Sequence, residues 1–154
     1  MTVAARHYAR LDDLQPLVGQ EIGVSDWMTI DQRRIDLFAD ATDDHQWIHV
    51  DAARAAAGPF GATVAHGFLT LSLLPPLFEG AFHVGGTRMG INYGLNRVRF
   101  PAPVRVGSRL RGRFKLLAYE PIDGGVQLTI EVTVQLDGSD KPACVAESVT
   151  RRYV

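Results

Sequence analysis

The chain predicts an α+β fold in which a long, curved antiparallel sheet wraps one apolar helix, and three observations lead there. The segment VQLTIEVTVQL alternates without a break, with Val126, Leu128, Ile130, Val132, Val134 and Leu136 on one side, the period of a half-buried strand. At about 3.3 Å per residue its eleven residues extend roughly 36 Å, beyond the usual strand length. The segment GFLTLSLLPPLFEG leaves no polar face except Thr70 and Ser72, and a helix apolar nearly all round has to be enclosed by protein. The turn formers IDGGV and LDGSDKP separate the alternating segments, so the strands are joined as antiparallel hairpins. A sheet packed on a helix is one of the few stable layer arrangements.

The remaining elements follow in order. Residues 1–18 read as a mobile arm or a short helix. IGVSDWMTI, rich in β-branched residues, reads as one strand. Asp31 is an N-cap candidate for QRRIDLFADAT, where Ile35, Phe38, Ala39 and Thr42 recur at helical spacing. DAARAAAGPFGATVAHG is a helix and then a tight loop, broken by Gly58, Pro59 and Gly61. The apolar helix starts at Gly67, where its first backbone N–H groups are left without intrahelical partners. RLRGRFKLLA places Leu110, Phe114 and Leu116 on one face and Arg109, Arg111, Arg113 and Lys115 on the other, and PACVAESVTRRYV supplies a last strand.

With 154 residues, 46% of them hydrophobic and 21% charged, the chain is one globular domain with a core of its own. The lone Cys144 excludes an intrachain disulfide or a cysteine zinc site and is read as a packed thiol. The N-terminus has no continuous apolar run, and the most apolar stretch is too short to span a bilayer. A cytoplasmic protein that does not engage membranes is the expectation. The net charge of −1 conceals an asymmetry: residues 1–96 hold six Lys/Arg against eleven Asp/Glu, and residues 97–154 hold ten against six. The basic stripe of Arg97, Arg99, Arg105, Arg109, Arg111, Arg113 and Lys115 is either a solvated strand face or a surface for an anionic ligand. Nucleic acid is not expected as a partner, because the total charge is not basic and no aromatic residues interleave as stacking platforms.

Chemistry concentrates in TDDHQWIHVD, residues 42–51. Asp44 and His49 lie five residues apart, just beyond the end of a helix, and a turn through His45 and Gln46 brings both to one water. A carboxylate and an imidazole around a water can take a proton from it and return one. Backbone N–H groups at the helix start, Gly67, can hold a carbonyl oxygen as it becomes an oxyanion. Base, acid and oxyanion hole suffice for adding water across a polarised double bond. The competing reading is a solvated polar loop. A metal site from His45, His49, Asp51 and His66 suits zinc or iron by ligand type, but the spacing matches no standard pattern, and no metal is expected. Ser72 reads as a hydroxyl bonded to its own backbone.

FADATDDHQWIHVDAARAAAGPFGATVAHGFLTLSLL and the later NYGLNRVRFPAPVRVGSRL resemble the MaoC-like (R)-specific enoyl-CoA hydratases, in their nodulation-protein-N-like branch, from about Gly19 onward. The resemblance implies a hot-dog fold, a long antiparallel sheet around a central helix, pairing into homodimers. It implies Asp44 and His49 as the catalytic pair and Gly67 as the donor to the thioester oxygen, with Ser72 a helix serine near the site. The implied reaction is reversible hydration of a trans-2-enoyl-CoA to the (R)-3-hydroxyacyl-CoA. No cofactor is implied; the acyl-CoA or acyl carrier protein thioester is the substrate, and the basic stripe gains a role at the CoA phosphates. A hot-dog thioesterase and a non-catalytic acyl-CoA-binding subunit are the rivals. The chain departs from the family motif at three positions, with Asp43 for Gly, Gln46 for Asn and Trp47 for Pro. Asp43 is expected to point to solvent, because a second buried carboxylate would be costly.

Overall fold

The computed structural model describes residues 2–154; Met1, part of the expected arm, lies outside them. The framework is a six-stranded sheet. β2 (Glu21–Val24) and β3 (Met28–Thr29) both pair with β6 (Arg109–Ile122), followed in order by β7 (Gly125–Leu136), β8 (Cys144–Tyr153) and β5 (Met89–Arg99). The pairings are antiparallel throughout. β7 is twelve residues long and buries Val126, Leu128, Ile130, Val132 and Val134, the side the alternation assigned to the core.

The apolar helix crosses the concave face in two pieces, α4 (Gly67–Ser72) and α5 (Leu74–Ala81), which meet at Leu73. Pro75 and Pro76 cause no break in α5, because they fall in its first turn, where an N–H has no intrahelical acceptor to lose. Leu69, Leu73, Leu74, Leu77, Phe78 and Ala81 are buried against the sheet. Phe78 stacks on Phe114 of β6 at 4.4 Å between ring centroids. Enclosure is incomplete in a single chain, since Phe68 is 69% exposed.

Three expectations need correction. The N-terminal segment is not a mobile arm. β1 (Arg6–Tyr8) pairs in parallel with β4 (Phe82–Val84), and a 3-10 helix over Leu11–Leu17 sinks Leu11 and Leu14 into the core; the short-helix alternative holds. IGVSDWMTI is two short strands rather than one. The chain leaves the ladder at Ser25, whose hydroxyl accepts from Gly112 N–H at 2.9 Å in place of a regular backbone partner. The basic residues of β6 face away from the helix. Leu110, Phe114 and Leu116 fill the core, so Arg109, Arg111 and Arg113 project from the other side, where they bond Asp137, Gln135 and Glu21. Cys144 is buried, and desolvation pushes its thiol pKa up to about 11, as a packed thiol requires.

Candidate active site

α1 (Gln32–Thr42) delivers the polar loop. Asp31 caps it, accepting from Arg34 N–H at 2.9 Å, and its far end turns through Asp43 at φ 59° and ψ 20°. That left-handed conformation suits glycine, which explains how the motif position tolerates Asp only as a short, exposed side chain able to reach αL. Asp43 is exposed, as expected. The loop continues into α2 (Trp47–Val50) and α3 (Ala52–Ala56), the latter capped by Asp51 through Arg54 N–H at 3.0 Å. Trp47 takes the first position of α2, where Pro is at home. Its ring lies against Gly58, whose missing Cβ would sit 3.0 Å from it, and under the Arg54 guanidinium at 4.3 Å. Asp43 and Trp47 are thus each accommodated where they stand in the loop.

α2 places His49 inward, 7% exposed. Its Nδ1 lies 2.6 Å from the Val64 carbonyl. A carbonyl only accepts, so Nδ1 carries the proton and Nε2 presents a lone pair. Burial pushes the His49 pKa below its ordinary value, and nearby His66 pushes the same way; the Val64 bond and Asp44 oppose them. Gln32 anchors this helix from α1, donating to the His49 carbonyl at 2.8 Å and accepting from the Thr63 hydroxyl.

His66, immediately before α4, completes the cluster. It is 3% exposed and stacks on His49 with 3.7 Å between ring centroids. Its Nε2 donates to the Asp44 backbone carbonyl at 2.9 Å, which fixes the loop that carries the Asp44 side chain. Ligating atoms of Asp44, His49 and His66 all lie within 4.8 Å of one another. Two hydrogen bonds of about 2.8 Å meeting at one water span roughly 4.5 Å, so Asp44 and His49 are spaced to share a water.

The four residues considered as a metal set, His45, His49, Asp51 and His66, do not assemble. His45 is exposed and paired with Asp40 at 2.9 Å, which raises its pKa, while Asp51 serves as a helix cap. The cluster that does form instead sets Asp44 beside two imidazoles whose planes are 23° apart.

Gly67 opens α4 directly after His66, and the amides of this first turn have no intrahelical acceptor. A Cβ at position 67 would lie 3.1 Å from the Phe100 ring, so glycine leaves the amide approachable. Ser72 lies one turn further along, exposed, with its hydroxyl donating to the Phe68 carbonyl at 2.7 Å. It lines a cavity of about 380 Å³ with Leu71, Leu74, Asn92 and Leu95. Sequence reasoning missed the contributions of His66 and Gln32; the His-Gly pair at the helix start was the available signal for the first, and nothing marked the second.

The MaoC-like domain model matches residues 13–137. The 3-hydroxyacyl-thioester dehydratase Z of Mycobacterium tuberculosis is 56% identical over 147 residues, 95% of this chain and 97% of that protein. Nodulation protein N of Rhizobium leguminosarum bv. viciae is 51% identical over 148 residues, covering 94% and 91%. Among solved structures, an unliganded R-hydratase from Pseudomonas aeruginosa superposes with a TM-score of 0.68 at 26% identity, covering 88% of this chain and 81% of that one. The six-stranded sheet wrapped around α4 and α5 is the hot-dog arrangement of these neighbours. The fold, the match over most of the chain and two relatives above half identity place this chain in the MaoC-like dehydratase family.

Proposed function

We propose that the chain is an (R)-specific enoyl-CoA hydratase that adds water reversibly to a trans-2-enoyl thioester, giving the (R)-3-hydroxyacyl thioester. The observation that carries this reading is the Asp44–His49 pair. His49 Nδ1–H is committed to Val64, so Nε2 and the Asp44 carboxylate are two acceptors for one water. A water that donates both protons keeps an oxygen lone pair free to attack C3. As the C3–O bond forms, one acceptor takes a water proton and the C2=C3 electrons move toward the thioester carbonyl. The Gly67 amide stabilises the resulting enolate oxygen. Return of the proton to C2 completes the addition and restores the pair. The reverse steps dehydrate the hydroxyacyl thioester, the direction named for the mycobacterial relative.

No cofactor enters these steps. The thioester is carried by CoA or by an acyl carrier protein, and the protein works in the cytoplasm as a homodimer; among the described residues no helix is long and apolar enough to cross a membrane. Ser72, beside the path along α4, has its hydroxyl hydrogen on the Phe68 carbonyl and offers its oxygen as an acceptor to the 3-hydroxyl of the hydroxyacyl form.

The test follows the enoyl thioester's ultraviolet absorbance after adding short- and medium-chain trans-2-enoyl-CoA to wild type and to Asp44→Asn. Wild type should consume the absorbance, and the variant should lose about 10²–10⁴-fold in rate, the usual contribution of a positioned acid or base. Chiral analysis of the product should give the (R) isomer. Thiol release without enoyl consumption would make the chain a thioesterase. CoA-ester binding that survives loss of Asp44 and His49, with no turnover in either form, would make it a binding subunit.

A further inference from the structure

Three buried side-chain polar atoms have no hydrogen-bond partner among the described residues: His66 Nδ1, Thr87 Oγ1 and Thr150 Oγ1. The first belongs to the site above. The other two line a single cavity of about 430 Å³ between α5 and the adjoining ends of β5 and β8. Arg152 lines it as well. Ser148, Thr150 and Arg152 alternate along β8 on the face that looks toward the helices.

Arg152 is half-buried and makes no hydrogen bond or ion pair with the described residues. Room for its guanidinium comes from Gly90 on the neighbouring strand, where a Cβ would lie 2.7 Å from a guanidinium nitrogen. Glu79 attracts it without forming an ion pair, and burial pushes its pKa down from the ordinary arginine value. Arg88 lies at the same cavity, so two guanidinium groups face the one carboxylate. A confined guanidinium with unpaired hydroxyls beside it calls for an acceptor that brings its own negative charge.

This cavity continues the one that holds Ser72, since Pro75 and Asn92 line both. From Ser72 to Glu79 is seven residues, about 10 Å of helix. A chain leaving the Gly67 end of α4 and following the helices would bring its far end to Arg152.

We propose that the Arg152 cavity is a distal subsite for a carboxylate at the far end of the acyl chain, so that the favoured substrates are thioesters of dicarboxylic acids. The inference rests on the thioester reading of the site. Arg152 donates to the carboxylate through its planar fork, and the Thr150 hydroxyl donates alongside it. A methyl-terminated chain of equal length would strip water from both groups and return nothing. Sites built to hydrogen-bond a ligand reject the analogue that lacks the partner more strongly than apolar pockets reject a size change.

The experiment compares calorimetric affinities of the mono-CoA thioesters of dicarboxylic acids of about ten to sixteen carbons, a range that reaches the roughly 18 Å of helix from Gly67 to Glu79, with alkanoyl-CoAs of matching length. At one or more lengths wild type should prefer the carboxylated ligand by about tenfold or more. Arg152→Gln should abolish that preference, Arg152→Lys should retain part of it, and Thr150→Val should weaken it; circular dichroism verifies that each variant folds. Equal affinities in wild type at every length overturn the proposal, whether because the cavity takes no anion or because a second copy of the chain fills it. A preference that survives Arg152→Gln overturns it too. Hydration of a short trans-2-enoyl-CoA by wild type is measured in parallel. Hydration without carboxylate preference removes the subsite alone, whereas preference without hydration removes the hydratase reading and leaves the subsite standing.

Discussion

The imidazoles of His49 and His66 lie face to face, 3.7 Å apart at their centroids. Each has one N–H tied to a backbone carbonyl, Val64 for His49 and Asp44 for His66. Each therefore turns a bare nitrogen elsewhere, and a proton added to either ring places a positive charge against the other. Together with burial, this contact keeps His49 in the neutral form that can accept a proton from water.

The pH dependence follows with a definite sign. The proposed hydration uses neutral His49, so on that reading kcat/KM should fall as the pH drops through a pKa lying below the ordinary 6.5. His66→Phe keeps a stacked ring but removes the like charge, so the acidic limb should move to higher pH. Turnover should also fall, because the Asp44 loop loses its donor. Stability is linked in the same direction. A folded-state pKa below the unfolded value gives stability that is complete above about pH 6.5 and declines as the pH falls toward the folded value. His49→Gln should accordingly flatten Tm against pH in that range. A limb that stays in place in His66→Phe would show that the stack does not tune His49.

Asp43 is the one non-glycine residue with positive φ among the described residues, at 59°. A left-handed conformation costs an L-residue roughly 1–2 kcal/mol, with Asp at the low end, and glycine returns part of that gain as unfolded-chain entropy. Asp43→Gly should therefore stabilise the protein by about 0.5–1 kcal/mol, raising Tm by about 1–4 °C, with enoyl-CoA hydration unchanged. Asp43→Val should lower Tm, since a β-branched residue fits αL worst. Thermal melts of the pair test the assignment, and a Gly variant no more stable than wild type would contradict it.

The parts of this molecule legible in the sequence are those whose cause is local. Val126 to Val134 announce a buried strand face because the pleat has a period of two, and Asp31 announces a cap because its acceptor lies three residues on. Asp44, His49 and Gly67 stand out as candidates through a spaced motif. The His49–His66 stack was not, because the two residues meet only where the Thr63–Val64 segment crosses behind α2. The pairing of Arg109, Arg111 and Arg113 with Asp137, Gln135 and Glu21 was hidden for the same reason. Alternation shows which face turns to the core, and only the strand order and register show which side chains meet the arginines on the other face. Leu11 and Leu14 looked like an arm because a short 3-10 segment has too few turns to reveal a periodic face.

β5 carries the last prediction. Its eleven residues bond β8 on one side and nothing on the other among the described residues. Met89, Ile91, Tyr93 and Leu95 along it are 42–58% exposed. A long apolar edge strand without a covering element is a template for another strand, and a second copy of β5 in antiparallel register would satisfy it while extending the sheet. Wild type should sediment at twice the 16.9 kDa chain mass. In a two-fold pairing residue i meets residue j of the other copy and j meets i, so Ile91→Glu with Tyr93→Glu sets like charges against one another when the axis falls near Asn92, without touching the core. That double variant should sediment as a folded monomer, with its far-ultraviolet circular dichroism retained. It should also bind thioesters more weakly, because Gly94 and Leu95 of the same strand line the cavity beside Ser72 and shift when the edge is freed. A wild-type protein that stays monomeric at tens of micromolar would refute this role for the edge, and a dimer unaffected by the two glutamates would place the interface elsewhere.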